Sequence, residues 1–286
     1  MAVFLKHEKD FWIKNAVRVT VLCCSLIAFG CSAPEDFSTI PEITFESLEY
    51  QEIGVVGTIN DEPDSLILEF GFTDGDGNIG INANEEEFPY HEFDLIVDSE
   101  GRFVTFGATD VQPPLLRFTP GVGVVSEFSS IDNRPGFSCD DYDFLFINSG
   151  KNTVLSKSAE GSLEEDQTEF SRDTLYIVKN PNFNNITINF FIKRSEDNYE
   201  LVDWKRVFDE QFGCGIDFSS RFPIFDNSSI GSSLEGTIRY KMQSAGFRSI
   251  LRTDEFRLEF SIRDRAFNES NVVVTRDLTL DDILVN

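Results

Sequence analysis

The sequence predicts an all-β protein built from antiparallel sheets packed face to face. Three observations carry this prediction. Apolar and polar residues alternate with period two in several stretches, and clusters of Gly, Pro, Asn and Asp separate those stretches. No amphipathic helical pattern longer than about two turns appears. The 29 phenylalanines fit the same picture, because Phe has high strand propensity and fills the space between two sheets.

Taken in chain order, the first clear strand signal is SLILEFGFT. Here Leu66, Leu68, Phe70 and Phe72 fall on one face, against Ile67, Glu69, Gly71 and Thr73 on the other. In EGTIRYKM, Ile238, Tyr240 and Met242 oppose Thr237, Arg239 and Lys241. In EFRLEFSIR, Phe256, Leu258, Phe260 and Ile262 oppose Arg257, Glu259, Ser261 and Arg263. Such alternation describes strands with one buried face. Residues 43 to 50, 93 to 97, 102 to 106, 143 to 148, 174 to 179 and 186 to 193 are further strand candidates. Trp204, in ELVDWKRVF, reads as a half-buried strand residue.

The N-terminus reads differently. Basic residues Lys6, Lys9, Lys14 and Arg18 precede an apolar run from Val19 to Phe29, then Gly30 and Cys31, then the polar, acidic SAPEDFST. The run is shorter than the ~20 apolar residues needed to span a bilayer. The order of small residue, cysteine and polar tether resembles a bacterial lipobox, with Ala28 in place of the usual leucine. Residues 1–30 are therefore expected to be a cleaved signal peptide, Cys31 the lipidated residue and residues 31–42 a short tether. An ordinary secretory signal with Cys31 as a bystander, and an uncut anchor helix, are the alternatives.

Cleavage there leaves 256 residues with 20 basic and 48 acidic side chains, a formal charge of −28. Favourable nucleic-acid binding comes largely from Lys and Arg releasing counterions, so no nucleic-acid partner is expected. Cations, neutral glycans and basic protein surfaces remain. Only His7 and His91 are histidines, so a multi-histidine zinc site is excluded after cleavage. His91, in EEEFPYHEFDL, reads as a solvated or hydrogen-bonded structural residue rather than a catalytic base. Cys139 and Cys214 are the even pair left beside Cys31, and in an oxidising compartment they are expected to form a disulfide.

The segment NSGKNTVLSKSAEGSLEEDQTEFSRD, residues 148 to 173, is polar and nearly free of strand patterning. It divides the chain into two expected β-sandwich units, 43–150 and 170–286, each about the size of an immunoglobulin-like domain. The alternative is a long hairpin loop inside one larger sandwich. The predicted fold class is thus all-β, with tandem immunoglobulin-like β-sandwich domains after a cleaved lipoprotein signal peptide.

The sharpest chemical motif is DGDGNIGINANE, Asp74 to Glu85. Against the helix-loop-helix calcium pattern, Asp74, Asp76 and Asn78 occupy positions one, three and five, Ile81 the apolar position eight, and Glu85 position twelve. The glycine expected at position six is Ile79, displaced to Gly80, and the entering element is a strand. The candidate calcium ligands are therefore Asp74, Asp76, Asn78 and Glu85, and the competing reading is an acidic glycine-rich hairpin. A second signature, IRDRAFNESNVVVT, has Asp264, Ala266, Asn268 and Ser270 at the turn between two strands, with Phe267 where glycine is common. The lipobox-like start, the FTDGDGNIG loop, the CGIDFSSRFP stretch at Cys214 to Pro223 and this hairpin together resemble uncharacterised lipoproteins of Bacteroidota with immunoglobulin-like domains. That resemblance implies a lineage and a fold more than an activity.

The functional expectation is a non-catalytic cell-envelope lipoprotein acting as a binding, spacing or scaffolding module. It would meet the outer membrane through its N-terminal lipid, periplasmic or surface-exposed, and a protein or glycan partner through its sheets. The alternative is a calcium-dependent or carboxylate-based glycan hydrolase. Glycoside hydrolysis needs two carboxyls at fixed separation, and pairs such as Asp140 and Asp141, or Glu164 and Glu165, are the kind that 48 acids produce by chance. No catalytic residue is assigned.

Overall fold

The computed structural model describes residues 37–52, 63–148, 153–155, 171–207, 213–225 and 230–285. Residues 1–36, with Cys31 and the expected signal peptide, lie outside the described residues. The structure is nearly all-β. Two short helical segments, Trp204–Val207 and Phe247–Leu251, and a 3-10 turn at Asp281–Ile283 accompany the strands. Among the described residues no helix is long and apolar enough to cross a membrane.

Three sheets form. The first joins β1 (Glu42–Gln51), β2 (Ser65–Asp74) and β11 (Leu234–Gln243), with β2 in the centre. The second has the order β10 (Asn198–Leu201), β9 (Ile186–Ser195), β12 (Phe256–Ile262), β13 (Val273–Val274). The inward sides of these two sheets share one core. Leu66, Leu68, Phe70, Phe72, Ile238 and Met242 meet Ile188, Phe190, Phe256, Leu258, Phe260 and Ile262. Phe70 of β2 and Phe260 of β12 touch across it, ring centroids 5.3 Å apart. This is a sandwich, and it contains β2, β11 and β12, the three strands whose alternation is cleanest in the sequence.

The third sheet is the product of the middle of the chain. Its order is β5 (Gly123–Ser129), β4 (Leu115–Thr119), β3 (Phe93–Val97), β8 (Ser171–Lys179), β6 (Tyr142–Asn148), β7 (Thr153–Leu155). Leu95, Leu145, Leu175 and Ile177 pack on one side of it, and Ile96, Leu115, Tyr142 and Tyr176 on the other.

Sheet membership does not follow the expected division at residues 150–170. β2 pairs with β11 over ten residues, from Ser65↔Gln243 to Asp74↔Leu234, and β6 pairs with β8 across the polar segment. One sandwich is therefore assembled from both ends of the chain, and the polar segment joins strands of a single sheet. The alternation of each strand is local, whereas the choice of partner is not, so the division could be drawn from composition without touching the pairing. Residues 102–106, expected as a strand, contribute only isolated bridges, Val97↔Phe103 and Thr105↔Leu175. Trp204 opens a helical turn instead of lying in a strand, and is buried against Phe190, Phe218 and Phe247. The three rings surround an indole that a strand face would leave half open.

Candidate metal centre

β2 ends at Asp74, and the chain turns immediately through Gly75 and Gly77 into the loop that carries Asp76 and Asn78. The loop is held by its own donors. Asn78 N donates to Asp74 Oδ2 at 2.9 Å, and Asn78 Nδ2 to Asp76 Oδ2 at 2.9 Å. Ile79 then bridges to Asp264 of the hairpin that follows β12, and Arg265 N donates to Asn78 O at 3.1 Å. This contact places Asp264 beside the loop. One oxygen from each of Asp74, Asp76 and Asp264 lies within 4.8 Å of the others. Asp74 and Asp264 are both 0% exposed.

The hydrogen-bond account of these groups is incomplete in one direction. Asp264 accepts from Asn268 N and Asn268 Nδ2, both at 2.8 Å. Asp74 Oδ1, Asp76 Oδ1 and Asn78 Oδ1, however, are buried acceptors with no hydrogen-bond partner among the described residues. Burial, then the facing Asp76 charge and that of Asp264, push the Asp74 carboxyl up to about 7. Burial likewise raises Asp264 despite the bonds from Asn268.

Glu85, expected as the fourth ligand, is elsewhere engaged. Arg265 Nη1 and Nη2 hold its two oxygens at 2.9 and 2.7 Å, and Asn82 N donates to Oε1 at 2.9 Å. The Arg265 bonds, outweighing burial, keep this carboxyl below its ordinary range. The entering strand is the reason. With Ile79 pinned to Asp264 and Ile81 N bonded to Phe222 O, position twelve is carried past the loop instead of folding back over it.

The other sequence signatures converge on the same end of the sandwich. Gly80 has φ of 101°, and a Cβ there would lie 2.5 Å from Pro223 O and 2.6 Å from the Ile224 Cα. Only glycine combines that backbone with that approach. Arg221, from the CGIDFSSRFP stretch, donates to Phe183 O at 2.6 Å, to Glu85 O at 2.8 Å and to Tyr90 O, and stacks 3.9 Å over the Phe183 ring. Phe267 adopts φ of 68°, the left-handed conformation for which glycine is the usual choice, and packs against Tyr90 at 5.8 Å.

The remaining acidic candidates are separate. Asp140 pairs with Lys179 and Lys205, at 2.6 and 3.1 Å, and Asp141 accepts from Ser138 Oγ at 2.6 Å. Glu164 and Glu165 lie outside the described residues. His91 is buried, with Nε2 2.9 Å from Asp94 Oδ1, a structural histidine. Cys139 and Cys214 form a disulfide, their Cα atoms 5.2 Å apart, which ties the loop before β6 to the segment that follows the first helical turn. No protein-family model matches the chain, and comparison with curated proteins and with solved structures returns no match.

Proposed function

We propose that this chain is a non-catalytic lipoprotein of the cell envelope, anchored at the outer membrane through Cys31, whose β-sandwich serves as a binding, spacing or scaffolding module. The observation that supports the non-catalytic reading is the orientation of its acids. The one group of three acids among the described residues whose oxygens lie close enough to share an ion is turned inward, with Asp74 and Asp264 fully buried, where a polymeric substrate does not reach. The seven strands of the two facing sheets equal the strand number of a constant-type immunoglobulin-like sandwich, which supports an immunoglobulin-like reading of that unit, with the third sheet as an insertion between β2 and β9.

The test is fractionation of wild-type protein and Cys31→Ser from a Gram-negative host, with mass spectrometry of the N-terminal peptide. Wild type is expected in the membrane fraction with a diacylglyceryl-modified Cys31, and the variant outside it. An unmodified Cys31 overturns the reading. A hydrolase remains the second reading on one observation. Glu42 and Glu235 both pair with Thr73 from opposite sides, so they stand two strand spacings apart, roughly 10 Å, on the outer face of the first sheet. Both are exposed, unlike the apolar setting of a glycosidase acid. Release of reducing ends from envelope polysaccharides that disappears in Glu235→Gln would establish it.

A further inference from the structure

We propose that Asp74, Asp76, Asn78 and Asp264 form a calcium site that fastens the end of β2 to the hairpin after β12. It goes beyond the module reading above and does not depend on the lipid.

The argument rests on how this chain treats its other buried carboxylates. Asp94, 2% exposed, accepts from Thr119 Oγ1 at 2.6 Å, from His91 and from Arg117. Asp98, also 2% exposed, accepts from Arg102 Nε and Nη2 at 2.9 and 2.6 Å and from the backbone N–H groups of Glu100 and Arg102 at 3.0 Å. Each of these has a guanidinium. At the Asp74 cluster the donors among the described residues are amides only, and the two arginines that flank Asp264 are engaged elsewhere, Arg263 with Glu269 and Arg265 with Glu85. Among the described residues three carboxylates thus converge without a protein cation, Asn78 is bonded to two of them, and three oxygens of these four side chains have no partner.

Hard oxygen donors in that number select a hard divalent cation. Ligands bound at about 2.3–2.6 Å stand at most about 5 Å apart across the ion, and the three carboxylates satisfy that span. Calcium accepts an irregular, mostly protein-derived shell, whereas magnesium keeps several waters and near-octahedral geometry. The ion would also brace the entry of the chain into the fold. Gly75 N donates to Ser38 O at 2.7 Å, and Asn268 Nδ2 to Thr39 O at 3.4 Å, so the loop and the hairpin each hold the segment leading into β1.

The experiment is calorimetric titration and thermal melting of the full chain in detergent, with calcium chloride, magnesium chloride or EGTA as the only variable. One calcium per chain is expected. The melting temperature should rise by about 5 °C or more at calcium a hundredfold above its dissociation constant, with a smaller response to magnesium. Asp264→Asn, which keeps one of the two acceptor oxygens that Asn268 uses, should abolish the calcium response while still melting cooperatively in EGTA. Glu85→Gln should keep the calcium response. No binding heat and no melting shift in the wild-type protein, an equal response to magnesium, or a full response in Asp264→Asn would overturn the proposal. Loss of the response in Glu85→Gln would overturn the ligand set.

Discussion

If one sandwich is built from both ends of the chain, Phe70 and Phe260 must be energetically coupled. They are 190 residues apart in sequence, 0% and 1% exposed, with ring centroids 5.3 Å apart and planes tilted at 52°. Phe70→Leu and Phe260→Leu keep apolar character and reduce volume modestly, so each should cost about 1–1.5 kcal/mol. That leaves the double variant folded against a total stability of roughly 5–15 kcal/mol. A tilted aromatic pair contributes about 0.5–1.5 kcal/mol beyond its buried area. The double variant should therefore be less destabilised than the sum of the singles by about 1 kcal/mol. Sites with no shared partner add to within about 0.3–0.5 kcal/mol, so the difference is measurable. Urea unfolding of the four proteins by far-UV circular dichroism, compared through their midpoints, supplies the cycle. Strict additivity, or two transitions with one variant affecting each, would refute a shared core.

Other consequences follow from single contacts. Gly80→Ala should destabilise by about 2–3 kcal/mol, since it meets both a left-handed backbone and a backbone collision, and a thermal melt unchanged from wild type would contradict the approach of Pro223. Denatured, unreduced protein should show no alkylation at Cys139 or Cys214. Paired Ser substitutions there should cost about 4 kcal/mol in the chain-entropy account of a loop with a separation of 75 residues. Acid should find Asp94 and Asp98. Burial alone would raise both, but bonds from His91, Thr119 and Arg117 to the first, and from Arg102 to the second, hold them below the ordinary range. The folded state then binds fewer protons than the unfolded one. Their contribution is present above the ordinary aspartate value of about 3.9 and is lost as pH falls through the lower folded values. Urea midpoints measured down through that window should fall less steeply for Asp98→Asn than for wild type.

Much of the sandwich is legible in the sequence because β2, β11 and β12 each bury one clean face. The third sheet is less so. β4 is a five-residue strand set directly behind Pro113 and Pro114, and β5 is exposed along most of its length, so neither shows the alternation that burial imposes. Pairing of β2 with β11 leaves no local trace at all. At the candidate site, Asp74, Asp76 and Asn78 are readable from spacing. Asp264 is visible as part of a turn signature but not as a neighbour of that loop, since only the Ile79 bridge brings them together. Glu85 misleads because the borrowed pattern presumes a helix, and a strand delivers the twelfth residue to Arg265. The glycine-like position at Phe267 is the case where a sequence departure marks a real backbone demand, met here by φ of 68°.

The placement of the two described ends of the fold has a mechanical meaning. Ser38 and Thr39 are held at the Glu42 end of β1, beside Gly75 and Asn268, whereas Val285 N donates to Tyr50 O at 2.9 Å near the other end. A force applied between these points runs along the axis of β1, about 30 Å for ten residues. It loads the β1–β2 ladder in shear, so the rungs from Glu42↔Thr73 to Gln51↔Ser65 share the tension instead of parting one at a time. A domain pulled in this direction resists extension far better than one peeled from its edge.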